Sequence, residues 1–277
     1  MASISYSIDA ADVPAVAEAA LTFQPYRPEH PILFVVPAFN EVENLPRLFD
    51  DLAARPLLHA AGSRVIIVDD GSLDGTVDLV RAYAGPLDVR LIELGTNQGP
   101  GAAFRAGFDA ALAEAREDSL IVTLEADTTS DLDSLPAMLA RAQAGAELVL
   151  ASVHGGGTMV NVSRLRRFLS AAAGSVVRVM LRLDARTVSS FFRVYRASIL
   201  RAGVASYGDR LIQERGFACK AELLAKLAAL GAEVVEVPVD LDGSLRVGES
   251  RMRIMPTLAG YTRLMLRQRR GKESVAA

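Results

Sequence analysis

Short runs of β-branched and aliphatic residues recur through the first half of the chain, and they lack the spacing of a helix face. They predict five strands of a buried parallel sheet, at residues 32–36, 64–68, 89–94, 120–124 and 147–151. The segments between them predict helices at residues 44–55, 77–84, 102–115 and 132–144. Strand and helix therefore alternate, which is typical of an α/β fold with right-handed crossovers.

The pattern changes after residue 151. Residues 162–183 keep their apolar positions three or four residues apart, and arginines occupy other positions. This profile predicts a long helix that lies on a membrane or caps the sheet. The rest of the chain predicts a helix at 219–230, a strand at 234–237, a polar loop at 242–251 and a basic helix at 256–270.

The composition is that of an ordinary globular chain of 277 residues, of which 51% are hydrophobic. No uninterrupted apolar run approaches the ~18 to 20 residues of a membrane span, and no N-terminal signal pattern is found. We therefore expect a cytoplasmic protein, with any membrane contact peripheral and at the inner face. The single cysteine, Cys219, excludes an intramolecular disulfide, and the three histidines form no Cys/His zinc cluster, so oxygen atoms must hold any metal.

Charge is unevenly distributed, although the net charge is only −3. Residues 161–210 contain ten arginines against two aspartates, and residues 251–272 contain six arginines and one lysine without an acid. Such blocks by themselves suggest phosphate groups, nucleic acid or an anionic membrane surface as partners, whereas a solvated helix face explains most single arginines. We expect no nucleic-acid partner. The chain also lacks the glycine patterns of dinucleotide-binding folds and P-loops, which argues against nicotinamide enzymes and P-loop NTPases.

Two carboxylates follow the fourth predicted strand. Glu125 and Asp127 are two residues apart, so strand geometry predicts that they point to the same side. Ligands bind at the carboxyl edge of an open α/β sheet, and Mg²⁺ or Mn²⁺ takes carboxylate oxygens there while leaving positions for substrate phosphates. Helix capping is the alternative explanation. Capping accounts for Asp131, but it does not account for two acids, Glu125 and Asp127, that are predicted to point to the same side.

Polar turns elsewhere add candidates that are weak individually, because Asp-Gly turns are commonplace. Asp70 is able to accept a hydrogen bond from a base or a ribose, and loop arginines are able to bind phosphate in a bidentate manner. These candidates are Glu41, Asp70, Asn97, Gly99, Arg246 and Arg251.

The order of these pieces is more specific than any one of them. Four motifs in this order resemble the nucleotide-sugar half of family 2 glycosyltransferases. They are Pro37-Ala-Phe-Asn-Glu41, Asp69-Asp-Gly-Ser-Leu-Asp-Gly-Thr76, Asn97-Gln-Gly-Pro-Gly101 and Glu125-Ala-Asp127. Later motifs resemble the polyprenyl- or dolichyl-phosphate mannose synthase branch of that family. They are Arg166-Arg-Phe-Leu-Ser170, Phe192-Arg-Val-Tyr195, Gly216-Phe217, Glu222-Leu-Leu224, Glu236-Val-Pro238 and Gly248-Glu-Ser-Arg251. The resemblance covers residues 32–270.

This resemblance implies a nucleotide-diphospho-sugar transferase fold of the GT-A type, an α/β fold with a mostly parallel, Rossmann-like sheet flanked by helices. We expect a catalytic domain at residues 31–250, with a nucleotide-sugar half at 31–151 and an acceptor half at 152–250. An appendage at 1–30 precedes it, and a basic helix and tail at 251–277 follow it.

The resemblance also implies an activity: inverting transfer of a hexose from a GDP- or UDP-sugar, such as GDP-mannose, to a polyprenyl phosphate, with Mg²⁺ or Mn²⁺ as the cofactor. The metal is assigned to Glu125 and Asp127. The nucleotide sugar is assigned to Pro37, Ala38, Asn40, Glu41, Asp70, Asn97, Gly99, Glu125, Ala126, Asp127, Arg246 and Arg251. Catalysis is assigned to Asp127, Arg166, Ser170 and Arg246.

The chain departs from the family pattern at several places, three of which concern the metal and the acceptor phosphate. Glu125 stands where Asp is usual, Thr129 where Gln is usual, and Val153 where the family has the arginine that meets the acceptor phosphate. Two alternatives therefore stay open. One is a soluble glycosyltransferase that acts on a hydroxylated small molecule, with Asp184 or Glu214 as the general base. The other is a catalytically inactive nucleotide-sugar binding protein.

Overall fold

The computed structural model describes residues 31–59, 63–153, 157–160, 174, 175, 178, 185–188, 190–242 and 254–275. The predicted appendage at 1–30, most of the predicted helix at 162–183 and most of the polar loop at 242–251 lie outside these residues.

Within the described ranges, seven strands form one mixed sheet. In chain order they are β1 (Ile32–Ala38), β2 (Arg64–Asp69), β3 (Asp88–Glu93), β4 (Leu120–Thr123), β5 (Leu148–Ser152), β7 (Arg193–Arg196) and β8 (Val234–Pro238). Their spatial order is β3-β2-β1-β4-β7-β5-β8, and only β7 runs antiparallel to its neighbours. Two further strands, β6 (Met159–Val160) and β9 (Leu241–Asp242), pair separately in parallel.

Helices connect these strands. In chain order they are α1 (Leu45–Ala53), α2 (Pro56–His59), α3 (Thr76–Arg81), α4 (Pro100–Glu114), α5 (Leu135–Gln143), α6 (Ala197–Tyr207), α7 (Cys219–Ala229) and α8 (Ile254–Val275). Short 3₁₀ turns at Leu132–Ser134 and Gly208–Arg210 precede α5 and follow α6.

Both faces of the sheet are covered, because successive side chains of its strands point to opposite sides. Val35 and Val68 belong to the buried cluster that includes residues of α4 and α7, whereas Phe34 belongs to the cluster on the α1 and α5 side. Gly107 lets α4 approach closely, since a Cβ there would lie 2.3 Å from Val35 Cγ1. Burial on both faces explains why the parallel strands are continuously apolar rather than alternating.

The predicted fold class is confirmed, but β7 and α6 are elements that the hydrophobic pattern does not predict. Strand β7 inserts between β4 and β5, so that Val194 pairs with Val122 on one side and with Val149 on the other. A strand of four residues leaves too short a pattern to recognise from sequence, and its position in the sheet depends on contacts that are distant along the chain.

Candidate active site

The carboxyl ends of β1, β2 and β4 lie side by side at one edge of the sheet, because β1 pairs in parallel with both neighbours. Pro37 and Ala38 are the last residues of β1, level with Val68 and Asp69 of β2. The carbonyl of Ala38 accepts a 2.8 Å hydrogen bond from the amide of Asp70. The turns that leave this edge carry the predicted site residues.

The turn after β1 is fastened to the turn after β2. Asn40 has a φ of 55°, in the left-handed region that asparagine tolerates better than most residues. Its amide donates to Ser72 Oγ at 2.8 Å, and its side-chain oxygen accepts from the Leu73 amide at 2.8 Å. The next amide, that of Glu41, donates to Thr76 Oγ1 at 2.9 Å. The two turns therefore form one unit.

Asn44 orients the carboxylate of Glu41. The side-chain amide of Asn44 donates to Glu41 Oε2 at 2.7 Å. Asn44 occupies the N-cap position of α1, but its side chain makes no capping hydrogen bond to the helix. Its side-chain amide instead holds an acid at the edge of the sheet.

Asp70 joins the turn after β2 to the loop after β3. Its Oδ1 accepts from the Gln98 amide at 2.7 Å and its Oδ2 from the Gly99 amide at 2.8 Å. Burial raises the pKa of Asp70, against the opposing effect of these two hydrogen bonds. Gly71, with a φ of 78°, packs so closely on this loop that a Cβ would lie 2.7 Å from the Asn97 nitrogen. Asp70 therefore shapes the loop that contains Asn97 and Gly99, and its contact with a nucleotide stays a prediction.

Glu125 and Asp127 converge through a turn and not through strand alternation, because β4 ends at Thr123. The hydroxyl of Thr129 donates to Asp127 Oδ1 at 2.7 Å and lies 3.4 Å from Glu125 Oε2. The amide of Thr129 also donates to Asp127 Oδ1, at 3.1 Å. Thr128 has a φ of 59°, which is strained for a β-branched residue, and such strain is found preferentially at functional sites.

This pair of carboxylates fits an open site for Mg²⁺ or Mn²⁺. Asp127 is buried and Glu125 is half-buried, and both approach the same hydroxyl. Among the residues that the structure describes, no group of three or more His, Cys, Asp or Glu side chains would enclose a metal ion. Two carboxylates with the remaining positions left to water and substrate phosphates are a normal Mg²⁺ arrangement. Asp131 is separate, because it caps the following 3₁₀ turn by accepting from the Asp133 amide.

Two buried cations near this edge are absent from the sequence-based assignments. Arg193 is 1% exposed and donates to the carbonyls of Ser190, Lys220 and Val188 at 2.8, 2.9 and 3.1 Å. Lys220 is buried, and its ammonium lies 3.8 Å from the centre of the Phe191 ring. Arg193 falls within a motif that the resemblance matched and Lys220 lies between two of them, a signal from which the sequence reasoning drew no role for either residue.

Glu214, one of the two candidate general bases, is buried, and two arginines engage its carboxylate. Its Oε2 lies 2.9 Å from Arg263 Nη2 and its Oε1 3.1 Å from Arg267 Nη2, both in α8. Its amide donates to Glu222 Oε2 at 2.8 Å. Glu214 therefore fastens α8 to the loop that precedes α7. Asp184, the other candidate base, lies outside the described residues.

Four predicted site residues also lie outside the described residues: Arg166, Ser170, Arg246 and Arg251. Their roles stay predictions. Those that the structure brings together at one edge are Pro37, Ala38, Asn40, Glu41 and Asp70, with Asn97 and Gly99 joined through Asp70.

The sequence matches known proteins over most of its length. The Glycosyl transferase family 2 model matches residues 33–203. An undecaprenyl-phosphate mannosyltransferase from Micrococcus luteus is 33% identical over 224 residues, which are 80% of this chain and 87% of that protein. A polyprenol monophosphomannose synthase from Mycolicibacterium smegmatis is 33% identical over 217 residues, which are 77% of this chain and 78% of that protein.

The fold also has counterparts among solved structures. One is glucosyl-3-phosphoglycerate synthase from Mycobacterium tuberculosis, crystallised with Mn²⁺, UDP and glucosyl-3-phosphoglycerate. It superposes with a TM-score of 0.56 over 86% of this chain and 78% of that chain, at 19% sequence identity. This likeness supports the fold, and the two mannosyl-transferring relatives bear on the chemistry.

Proposed function

The chain belongs to glycosyl transferase family 2, and from this we propose that it transfers a hexose from a GDP- or UDP-sugar to a polyprenyl phosphate, with inversion at the anomeric carbon. The observation that carries the proposal is the 33% identity with an undecaprenyl-phosphate mannosyltransferase across 80% of the chain. GDP-mannose is the donor to test first, since both of the relatives described above are named for mannose.

We place the donor at the edge formed by β1, β2 and β4, in the half at residues 31–151. The fastened turns and the loop held by Asp70 form a fixed surface there, so few side chains need to be ordered when a nucleotide binds. The proposed contacts are Pro37, Ala38, Asn40, Glu41, Asp70, Asn97, Gly99 and Ala126.

Glu125 and Asp127 would hold Mg²⁺ or Mn²⁺ at the same edge. When bound, such an ion neutralises charge that grows on the leaving diphosphate. Thr129 would keep Asp127 oriented for this role, because it donates two hydrogen bonds to one carboxylate oxygen.

The acceptor half at residues 152–250 would hold a phosphate that is already an anion and needs no general base. An acceptor oxygen forms the new bond to the anomeric carbon as the bond from that carbon to the diphosphate breaks. The proposed residues for the phosphates are Arg166, Ser170, Arg246 and Arg251. The alternative, a hydroxyl acceptor, requires a base, and Glu214 does not suit this role because two guanidinium groups engage its buried carboxylate.

We further propose that α8 makes peripheral contact with a membrane, where a polyprenyl phosphate would reside. Among the described residues no helix has both the length and the apolar character needed to cross a bilayer. Helix α8 exposes Leu258 and Leu266 at 43% and 52%, together with the side chains of Arg263 and Arg267. An uncompensated basic charge near an anionic surface contributes ~1 kcal/mol, and the two arginines carry one charge more than Glu214 neutralises, which favours reversible and salt-sensitive attachment.

The test is an assay with Mn²⁺, a short-chain polyprenyl phosphate and each candidate sugar nucleotide, read out as an acid-labile glycolipid. Wild type should form this product, and Arg166→Ala should form much less. Nucleotide binding without product from any donor would favour the inactive binding protein. Transfer to a hydroxylated small molecule, without glycolipid, would favour the small-molecule alternative.

A further inference from the structure

Lys220 lies where a lysine is doubly unfavourable. It is the second residue of α7, where the partial positive charge of a helix N-terminus opposes a cation. It is also 7% exposed, and burial of an ammonium group carries a large desolvation penalty. A residue that violates both preferences indicates a functional demand at this position.

The contacts of the ammonium do not meet its hydrogen-bonding needs. It lies 3.8 Å from the centre of the Phe191 ring and 5.5 Å from that of Phe217, so the ring faces attract the charge. A ring is no substitute for oxygen acceptors, and an ammonium group has three donors. None of the hydrogen bonds and ion pairs found among the described residues involves this group.

The elements that carry Lys220 are connected to the strand that leads to the acid pair. The carbonyl of Phe191 accepts from the hydroxyl of Thr123, which ends β4 two residues before Glu125. The guanidinium of Arg193 donates to the carbonyl of Lys220 and so fixes the start of α7 against β7, the neighbour of β4. Burial lowers the pKa of Lys220 to about 8, while Glu125 and Asp127 both act to raise it. The cation therefore lies within electrostatic reach of both carboxylates.

We propose that the ammonium of Lys220 binds a phosphoryl oxygen beside Glu125 and Asp127, supplied by the donor diphosphate or by the acceptor phosphate. This inference rests on the proposed function, because it takes a phosphorylated substrate at this edge as given. A phosphoryl oxygen supplies the acceptor that the aromatic rings lack, and its negative charge compensates the buried cation. The positive charge of Lys220 also offsets part of the negative charge of the two carboxylates. It therefore opposes binding of a divalent cation when no phosphorylated ligand is present.

The experiment compares wild type with Lys220→Met, which keeps the length of the side chain and removes its charge. Calorimetry measures the affinity for Mn²⁺ alone and for GDP, UDP and the corresponding monophosphates with Mn²⁺, and kinetics measure KM for the polyprenyl phosphate. We expect Lys220→Met to weaken binding of the diphosphate or to raise KM for the acceptor at least tenfold. The first result identifies the donor as the source of the oxygen and the second the acceptor. Affinity for Mn²⁺ alone should be unchanged or higher.

Two variants separate charge from packing. Lys220→Arg keeps the charge and should retain most of the affinity that Lys220→Met loses, whereas Cys219→Ala changes the packing of the same helix turn and should affect neither substrate. Equal diphosphate affinity and equal acceptor KM in Lys220→Met and wild type would overturn the inference. A parallel loss in Cys219→Ala, or weaker binding of Mn²⁺ alone in Lys220→Met, would also overturn it. Wild type that binds no nucleotide and forms no product would instead overturn the proposed function.

Discussion

The Oδ2 atom of Asp70 accepts a 2.8 Å hydrogen bond from the amide of Gly99. Two residues further along, the amide of Gly101 donates to the carbonyl of Arg215 at 2.8 Å. The neighbouring Glu214 is paired with Arg263 of α8. A continuous set of contacts therefore connects the proposed donor edge, the loop before α7 and the C-terminal basic helix.

Replacing Asp70 by Asn should loosen the loop after β3. The side chain of asparagine has an acceptor oxygen at one position and a donor NH₂ group at the other. One of the two backbone N–H groups that now donate to Asp70 would therefore face another N–H group. We expect the free energy of unfolding to fall by about 1–3 kcal/mol and nucleotide affinity to fall with it. Urea unfolding and calorimetry provide the measurements. Asp78→Asn, at an exposed position of α3, is the control and should change neither quantity.

Gly101→Ala should disturb the contact between the first turn of α4 and the loop before α7. A Cβ at this position would lie 2.0 Å from the carbonyl oxygen of Glu214, so the backbone must shift. We expect a destabilisation of about 1–3 kcal/mol in thermal or urea unfolding. Gly216→Ala is the matched control, since a Cβ there meets nothing within 4 Å. Equal stability of the two variants would show that this contact is not tight.

Asp127→Asn should remove most of the metal-dependent nucleotide affinity and leave the fold intact, because asparagine has almost the same volume and its amide oxygen can still accept from Thr129. We expect the affinity for a nucleoside diphosphate in Mn²⁺ to fall at least tenfold, with a smaller loss for Glu125→Gln. Calorimetry with and without Mn²⁺ checks this. Asp131→Asn, which alters only the cap of the 3₁₀ turn, should bind normally. Unchanged affinity in Asp127→Asn would remove the metal assignment.

Helix α8 should bind anionic vesicles more tightly than neutral ones, and salt should weaken this binding. Replacing the exposed Leu258 and Leu266 by Gln should reduce binding at least tenfold without loss of stability, because the apolar contact with lipid is lost while the pairs with Glu214 are kept. Vesicle sedimentation gives the measurement. Leu230→Gln, exposed at the end of α7, is the control. Equal binding to both vesicle types, or to neither, would contradict membrane contact through α8.

Stability should decline at alkaline pH because of Cys219. Burial raises the pKa of this thiol from 9.0 to about 12, so above pH 9 the unfolded chain releases a proton that the folded chain retains. The stabilisation is complete below pH 9 and is lost as the pH rises towards about 12. Urea unfolding across this range should show a shallower decline for Cys219→Ala than for wild type. The thiol should also react with a maleimide only after unfolding, and rapid reaction in the native state would contradict its burial.

The sequence by itself determined the strands of the donor half, the confirmed fold class and the confirmed family. Strands β1, β2, β3, β4 and β5 lie within two residues of their predicted positions, because the pattern of a strand that is buried on both faces is local. The candidate residues at the donor edge were also predictable, since each directly follows a strand or falls in a matched motif. The resemblance to a known family restricted the possible reactions more than the residues of any single turn did.

Only the tertiary structure decided how those residues meet. Asp70 bonds to a loop 28 residues away, Glu214 pairs with Arg263 at a separation of 49 residues, and Thr129 joins Glu125 to Asp127 where strand alternation was expected. It also placed Lys220 against the ring of Phe191 near the acid pair. These relationships depend on packing between segments that are distant along the chain. Hydrophobic periodicity indicates on which face of its own strand or helix a residue lies, but not which residue packs against that face.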